Sequence, residues 1–263
     1  GWRGPVQLLG ECALRLPDFL IIGAMKAGTT TLYGDLMANS QVFMPDDKEP
    51  HCLVREDVLR HRGQRYYAGL FKAARSDQIC GEASTGYSKA SRFPGVALRA
   101  KQVLRHDLKL IYLVREPVAR AISHHHNEIH NPTVPADINE AIRVHLPLIE
   151  FGMYTMQLKP WLETFGREQL HIVQFEHFIQ HRKETVAAVS RFLGIEPRID
   201  RIDERRVYNK TEMKPVSTGL WKRIQSSSLY RRRLRKFTTP GMRDLVKRRF
   251  LSRLPHRPDP PTG

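Results

Sequence analysis

The sequence predicts a three-layer α/β fold in which helices cover both faces of a central parallel sheet. Short apolar runs rich in β-branched residues recur at 19–22, 108–114 and 170–175, as expected of strands buried on both faces. Helix-like segments separate these runs, and strands that alternate with helices favour parallel crossover connections. A length of 263 residues suits one such domain with a substantial core.

The remaining elements are weaker in the sequence. Residues 42–51 are predicted as a loop or a short edge strand, because two prolines in this segment exclude a regular element. A further strand is predicted at 78–81. Helices are predicted after the first strand, after Pro117, and over the segments 94–105, 151–165 and 183–193, the last of which ends at Gly194.

Composition divides the chain into three parts. Residues 1–17 are expected to form an irregular lead-in and residues 18–215 the folded core. Residues 216–263 are expected to form a basic helical extension of the same domain, with a disordered end. The arginines of this extension either form a solvated face or bind a polyanionic acceptor.

The formal net charge of +16 favours anionic partners. Nucleic acid is not predicted as a partner, because aromatic residues are not interleaved with the C-terminal arginines. The cysteines, Cys12, Cys52 and Cys80, lack Cys-x-x-Cys spacing, which argues against a disulfide framework or zinc site and favours a reducing, cytoplasmic location. No apolar run approaches the roughly 20 residues that a membrane span needs, so no span is predicted in this chain.

Residues 18–34 combine a strand, a glycine-bearing turn and a helix start rich in hydroxyl groups. Gly28 ends the turn, and Thr29 and Thr30 open the helix. Free backbone N–H groups and the positive end of the helix dipole converge at such a turn, which makes it a phosphate cradle. Lys26 adds a mobile cation beside it. This stretch is therefore predicted to bind a phosphate.

The order of these residues differs from that of the loop that binds nucleotide triphosphates, in which the lysine follows the second glycine. The order Lys26-Ala27-Gly28-Thr29-Thr30 resembles instead the 5′-phosphosulfate loop of sulfotransferases that use 3′-phosphoadenosine 5′-phosphosulfate (PAPS). The resemblance implies a P-loop nucleotide-kinase-like fold, PAPS as a co-substrate held by these five residues, and Lys26 as a catalytic residue. It implies no metal, since a sulfuryl group carries less negative charge than a phosphoryl group.

A carboxylate and an imidazole follow this loop in the sequence, at Glu49 and His51. A loop that returns from the first helix can bring such side chains over the strand end where α/β sheets bind ligands, and there they can accept a proton. By themselves the two residues also fit an exposed surface loop. Sulfotransferases that act on heparan-type polysaccharides carry a Glu-x-His pair at similar spacing, which implies that Glu49 is the catalytic base and that His51 assists it.

Arg115 follows the strongest predicted strand, and Ser123 lies two helical turns further on. An arginine in this place makes a charge-assisted, bidentate anion site, or it pairs with a nearby carboxylate. In the sulfotransferases that the chain resembles, the matching arginine and serine bind the 3′-phosphate of PAPS. Two phosphate sites on adjacent strand ends suit a nucleotide phosphorylated at both its 5′ and 3′ positions.

The resemblance covers roughly residues 18–215 and departs from the family in two places. Ala83 stands where many relatives carry a lysine, and the Lys-Gly-Arg loop that closes over the 3′-phosphate is missing. Lys210 falls near that loop and is the candidate substitute. The histidines at 124–126 are expected to be partly exposed near the acceptor cleft, because consecutive residues of a helix point to different faces and do not form a metal cluster.

The chain is therefore interpreted as a sulfotransferase that moves a sulfuryl group from PAPS to a hydroxyl or amine of a small-molecule or polysaccharide acceptor. Its other product would be adenosine 3′,5′-bisphosphate (PAP). Two alternatives stay open: a nucleotide or small-molecule kinase with a divergent phosphate loop, and a non-catalytic polyanion-binding protein. A Golgi-lumenal catalytic domain is the alternative to a cytoplasmic location if the chain is part of a longer protein. The acceptor and the oligomeric state are not predicted.

Overall fold

The computed structural model of the chain describes residues 14–128, 131 and 133–204, and the backbone of two short strands at 216–217 and 251–252. Five parallel strands form one sheet in the order β2-β3-β1-β4-β5. Their bounds are β1 Phe19–Gly23, β2 Val42–Phe43, β3 Ile79–Ala83, β4 Lys109–Val114 and β5 Leu170–Gln174. The short antiparallel pair is β6 Val216–Ser217 and β7 Leu251–Ser252. The predicted α/β class with a parallel sheet is confirmed.

Helices connect the strands of the sheet and surround it. Those of the described residues are α1 Thr29–Met37, α2 His61–Gly69, α3 Val96–Val103, α4 Pro117–Glu128, α5 Ile138–Val144, α6 Pro147–Glu150, α7 Tyr154–Phe165, α8 Phe175–Gln180 and α9 Arg182–Leu193. Single 3₁₀ turns lie at Cys52–Val54, Glu56–Leu59 and Thr85–Ser88. The helix α9 ends as predicted, because Gly194 takes the left-handed conformation that stops a helix.

The central strand β1 places the first candidate motif. Its first four residues, Phe19 to Ile22, are fully buried, which explains their continuous apolar character. β1 pairs with β3 on one side and β4 on the other, and the chain crosses β1 between those two strands. The carboxyl ends of β3, β1 and β4 are therefore neighbours at a reversal of strand order, where open α/β sheets bind ligands.

Two helices begin later than predicted. The helix expected over 94–105 starts at Val96, because Gly95 takes a left-handed conformation and acts as its N-cap. The helix expected over 151–165 starts at Tyr154 and contains Pro160. The helices α2, α5, α6 and α8 are not predicted from the sequence, because each is short or strongly polar.

Several expectations concern residues outside the described part of the chain. The first thirteen residues of the lead-in and the helical character of the basic extension lie there. The division into lead-in, core and extension stays a prediction for this reason. In the part that the structure describes, no helix has the length and apolar character needed to span a membrane.

A buried ion pair joins the helices α1 and α9. The Arg182 guanidinium donates to both carboxylate oxygens of Asp35, at 2.6 and 2.8 Å, and both side chains are almost fully buried. Asp35 lies on α1, directly behind the candidate phosphate loop, and Arg182 begins α9. The pair therefore holds α1, the helix that follows this loop, against α9.

We expect Arg182→Met to lower the free energy of unfolding by about 3–5 kcal/mol, because it leaves the Asp35 carboxylate buried without its guanidinium. The exposed pair between Arg105 and Asp107, at 2.7 Å, is the matched control. Arg105→Met should cost less than about 1 kcal/mol. Urea denaturation of the two variants measures both values, and equal losses would show that α1 and α9 are held together by other contacts.

Candidate active site

The turn between β1 and α1 has the geometry of an anion cradle. The backbone N–H of Ala24 donates to the carbonyl of Leu113 on β4, at 2.8 Å, which fixes where the turn begins. Gly28, at φ +90°, caps α1 in a left-handed conformation, and the first turn of α1 carries no acidic residue. The first backbone N–H groups of a helix have no acceptor within it, so they remain available to an anion here.

Three residues other than glycine have positive φ angles in the part of the chain that the structure describes. They are Lys26 at 70°, Glu49 at 65° and His51 at 54°. A left-handed conformation costs a residue with a side chain about 1–2 kcal/mol, so the surrounding structure must impose it. Strained backbone of this kind concentrates at functional sites. The three strained positions coincide with the three residues predicted to be catalytic.

The loop that carries Glu49 is fastened to the carboxyl end of β3. The Glu49 backbone N–H donates to the carbonyl of Ala83, at 3.0 Å, and the His51 N–H donates to the Ser84 hydroxyl, at 3.2 Å. That hydroxyl donates in turn to the carboxylate of Glu82, at 2.7 Å, and the Tyr67 hydroxyl donates to the other oxygen of Glu82. Glu82 is buried, so it positions the loop from the protein interior.

The Glu49 carboxylate lies among hydrogen-bond donors. The Lys48 ammonium is 2.9 Å away, His51 Nε2 is 3.4 Å away, and the Thr85 hydroxyl is 3.3 Å from both oxygens. Burial alone would raise the pKa of Glu49. The hydrogen bond from His51 and the charge of Lys48 outweigh it and lower the pKa to about 2. Glu49 is therefore fully ionised at neutral pH.

The His51 ring is fixed between Glu49 and a glycine. Its Nδ1 atom is buried without a hydrogen-bond partner among the described residues. A Cβ atom at Gly86 would lie 2.8 Å from this nitrogen, so only glycine leaves the ring its space. The packing against Gly86 thus holds the ring so that Nε2 faces the Glu49 carboxylate.

Arg115 joins the end of β4 to the turn after β1. Its Nη1 donates to the carbonyl of Lys26, at 3.2 Å, and its guanidinium carbon lies 4.6 Å from the centroid of the Phe175 ring. The Tyr154 hydroxyl donates to the Arg115 carbonyl, at 2.6 Å, and receives its N–H, at 3.1 Å. Burial lowers the pKa of Arg115, and its Nε atom is buried without a partner among the described residues. The guanidinium retains donor capacity for an anion.

The other residues predicted to bind PAPS differ in burial. Ala27 and Thr29 are buried in the turn itself, and Thr30 is half-buried beside them. Ser123 is half-buried, two turns into α4. Lys210 lies outside the described residues, so its role stays a prediction.

Two aromatic residues of the site were not anticipated from the sequence. Phe175 lies under Arg115 and also under the turn, since a Cβ atom at Gly28 would be 2.8 Å from its ring. Tyr154 holds the Arg115 backbone from α7. Phe175 directly follows β5, and a large side chain at the carboxyl end of a parallel strand was the signal that could have indicated it.

The histidine cluster on α4 differs from the expectation of partly exposed side chains. His124 and His125 are buried, while His126 is half-buried. Burial and the nearby positive charge of Arg120 lower the pKa of His124 to about 3, so its ring is neutral at pH 7. No group of His, Cys, Asp or Glu side chains with metal-binding geometry occurs in the described ranges.

The family of the protein follows from comparison with known proteins. The family model described as the sulfotransferase domain matches residues 16–239, which is most of the chain. The chain belongs to the sulfotransferase family. The turn after β1, the Glu49 loop and Arg115 all lie within the matched residues.

The similar proteins include mammalian and bacterial sulfotransferases. The mouse heparan sulfate glucosamine 3-O-sulfotransferase 3A1 is 29% identical over 214 residues, which are 78% of this chain and 52% of that protein. The crystal structure of a sulfotransferase from Alicyclobacillus acidocaldarius has a TM-score of 0.58 at 25% identity, over 90% of this chain and 92% of that one. The chain spans about half the length of the curated relatives it matches.

A mouse sulfotransferase, SULT7A1, whose crystal structure is complexed with PAP, has a TM-score of 0.50. The match covers 89% of this chain and 82% of that one at 15% identity, and therefore shows a shared fold alone. The described fold is thus that of the sulfotransferases.

The lowered pKa of Glu49 makes the free energy of unfolding depend on pH in the acidic range. The folded pKa of about 2 lies below the ordinary value of 4.5, so Glu49 stabilises the fold above pH 4.5. We expect this stabilisation to be lost between about pH 4.5 and pH 2.

Urea unfolding of the wild type and Glu49→Gln at pH 7, 4 and 3 measures this loss. The difference in free energy of unfolding between the two should shrink as the pH falls. A difference that stays constant over the whole range would mean that Lys48 and His51 do not stabilise the ionised carboxylate.

Proposed function

We propose that the protein transfers a sulfuryl group from PAPS to a hydroxyl or amine of an acceptor and releases PAP. The observation that carries the proposal is the convergence of three motifs at adjacent strand ends. Arg115, after β4, donates to the Lys26 carbonyl in the turn after β1, and the Glu49 loop is fastened to Ala83 at the end of β3. Membership of the sulfotransferase family supports the same activity.

The turn after β1 would hold the 5′-phosphosulfate through its backbone N–H groups and the side chains of Lys26, Thr29 and Thr30, with Ala27 and Gly28 shaping the turn. Arg115 and Ser123 would bind the 3′-phosphate, with Lys210 as a further candidate. The buried Nε of Arg115, which has no partner among the described residues, fits a site that an anion completes. The Phe175 ring beneath Arg115 holds the guanidinium plane for a bidentate contact.

Glu49 would accept the proton of the acceptor while the acceptor oxygen or nitrogen bonds to sulfur. The bond between sulfur and the 5′-phosphate oxygen breaks, and its electron pair leaves with PAP. With a pKa of about 2, Glu49 cannot deprotonate a free hydroxyl beforehand, so proton transfer must accompany bond formation. Lys26 would stabilise the charge that grows on the leaving oxygen.

The acceptor is proposed to be a carbohydrate, with an anionic polysaccharide favoured. The net charge of +16 attracts polyanions, and the mouse relative is named for heparan sulfate glucosamine. A cytoplasmic location remains part of the proposal, with a Golgi-lumenal one as its alternative. Cys52 and Cys80 are buried free thiols, which both locations allow.

One binding experiment separates the proposal from a kinase and from a non-catalytic binder. Calorimetry with PAP in the presence of EDTA should give binding if the protein uses PAPS. A kinase would instead prefer a magnesium-bound triphosphate, and a polyanion-binding protein would bind neither nucleotide at this site. Sulfate transfer from PAPS to a panel of polysaccharides then tests the reaction itself.

We expect Glu49→Gln to keep PAP affinity and to lower sulfate transfer by roughly 10²–10⁴-fold, because it preserves shape while removing the proton acceptor. Transfer is followed with labelled PAPS, and PAP affinity by calorimetry. His51→Ala should lower transfer less, since the imidazole orients the carboxylate. Transfer by Glu49→Gln at the wild-type rate would assign the base to another residue.

We expect Arg115→Ala to weaken PAP binding by about 10–100-fold, as the loss of a hydrogen bond to a charged group does, and to affect adenosine 5′-phosphate much less. Arg115→Lys keeps the charge but loses the bidentate fork, so it should recover only part of the PAP affinity. Calorimetry with both nucleotides gives the comparison. Equal losses for the two nucleotides would mean that Arg115 supports the turn after β1 rather than binding the 3′-phosphate.

A further inference from the structure

Lys89 lies on a turn that the surrounding structure holds firmly. It follows the 3₁₀ turn Thr85–Ser88, and its N–H donates to the Gly86 carbonyl, at 3.3 Å. The carbonyl of Tyr87 accepts from the Trp161 indole, at 3.1 Å, and the Ala90 N–H donates to Gln157, at 2.7 Å. Both partners are buried on α7, so the backbone on each side of Lys89 is fixed.

The same turn forms one wall of the Glu49 site. Thr85 contacts the Glu49 carboxylate, and Gly86 packs against the His51 ring. Lys89 follows Gly86 by three residues and its backbone N–H donates to the Gly86 carbonyl, so its side chain starts from this wall. The Lys89 side chain therefore begins beside the space in which an acceptor would meet the proposed base.

Lys89 is a cation without a carboxylate partner among the described residues. Its ammonium lies 5.1 Å from the centroid of the Phe151 ring. Burial lowers its pKa, the Glu49 charge raises it, and the charge of Arg92 lowers it. The Glu49 oxygens already take their direct contacts from Lys48, His51 and Thr85. Contact with an aromatic face stabilises a half-buried ammonium less than a hydrogen bond to an anion would.

We infer that Lys89 binds an anionic substituent of the acceptor beside Glu49, and so selects acceptors that carry an acidic group close to the sulfated position. The inference rests on the proposed sulfotransferase function and names the determinant of its acceptor specificity. The long side chain of Lys89 can leave the Phe151 ring and reach a carboxylate or a sulfate without any change of the anchored backbone. The bound anion then holds the acceptor hydroxyl or amine against Glu49.

A pair of acceptors that differ only in charge tests the inference. One is an oligosaccharide of alternating N-acetylglucosamine and glucuronic acid, and the other is the same oligosaccharide with its carboxyl groups reduced to alcohols. Steady-state transfer from PAPS gives kcat and KM for both with the wild type, Lys89→Met and Lys89→Arg. Lys72→Met, which removes an exposed lysine after α2, is the matched control for lost net charge.

We expect Lys89→Met to lower kcat/KM for the acidic oligosaccharide by about 10–100-fold, mainly through KM, and to leave the reduced oligosaccharide nearly unchanged. Lys89→Arg should recover much of the preference, and Lys72→Met should keep the wild-type ratio. Equal losses with both acceptors, or the same change of ratio in Lys72→Met, would overturn the inference. A wild type that binds no PAP and transfers no sulfate would instead refute the proposed function.

Discussion

The pairing of β1 with β3 on one side and β4 on the other is the constraint on which the site depends. These strands end at the same edge of the sheet: Lys26 follows β1, Arg115 follows β4, and the end of β3 anchors the Glu49 loop. The hydrogen bond from Arg115 to the Lys26 carbonyl then locks the ends of β4 and β1 together. A change in the register of any of the three strands would separate groups that must act on one substrate.

Backbone strain and charge are concentrated in the same place. Hydrogen bonds hold the loops that contain the left-handed residues Lys26, Glu49 and His51. The Glu82 network holds the loop of Glu49 and His51, and Arg115 holds the turn of Lys26. The donors around Glu49 lower its pKa, which keeps the carboxylate ionised but makes it a weaker base. In the proposed reaction such a carboxylate takes the proton only as the bond to sulfur forms.

The parts of the fold that the sequence predicted are those with strong local signals. The apolar β-branched runs of β1 and β4 are such signals, and so is Gly194 at the end of α9. The positions of Glu49 and Arg115 at strand ends followed from the parallel topology. The contacts of Phe175 could not be predicted, because they depend on β5 being the neighbour of β4. The left-handed backbone of Lys26 could likewise not be predicted, because tertiary contacts impose this conformation on a residue that does not favour it.

The buried anchor of the Glu49 loop has a consequence for how the protein responds to salt. Dissolved ions screen exposed charges within about 10 Å at 0.1 M ionic strength, but they act weakly on groups without solvent contact. The net charge of +16, which would attract the proposed acidic acceptor, is therefore open to screening. Dissolved ions do not screen the hydrogen bonds among Tyr67, Glu82 and Ser84, because these side chains lie in the interior. Ionic strength would thus change how often the proposed acceptor arrives, while the orientation of the Glu49 carboxylate stays the same.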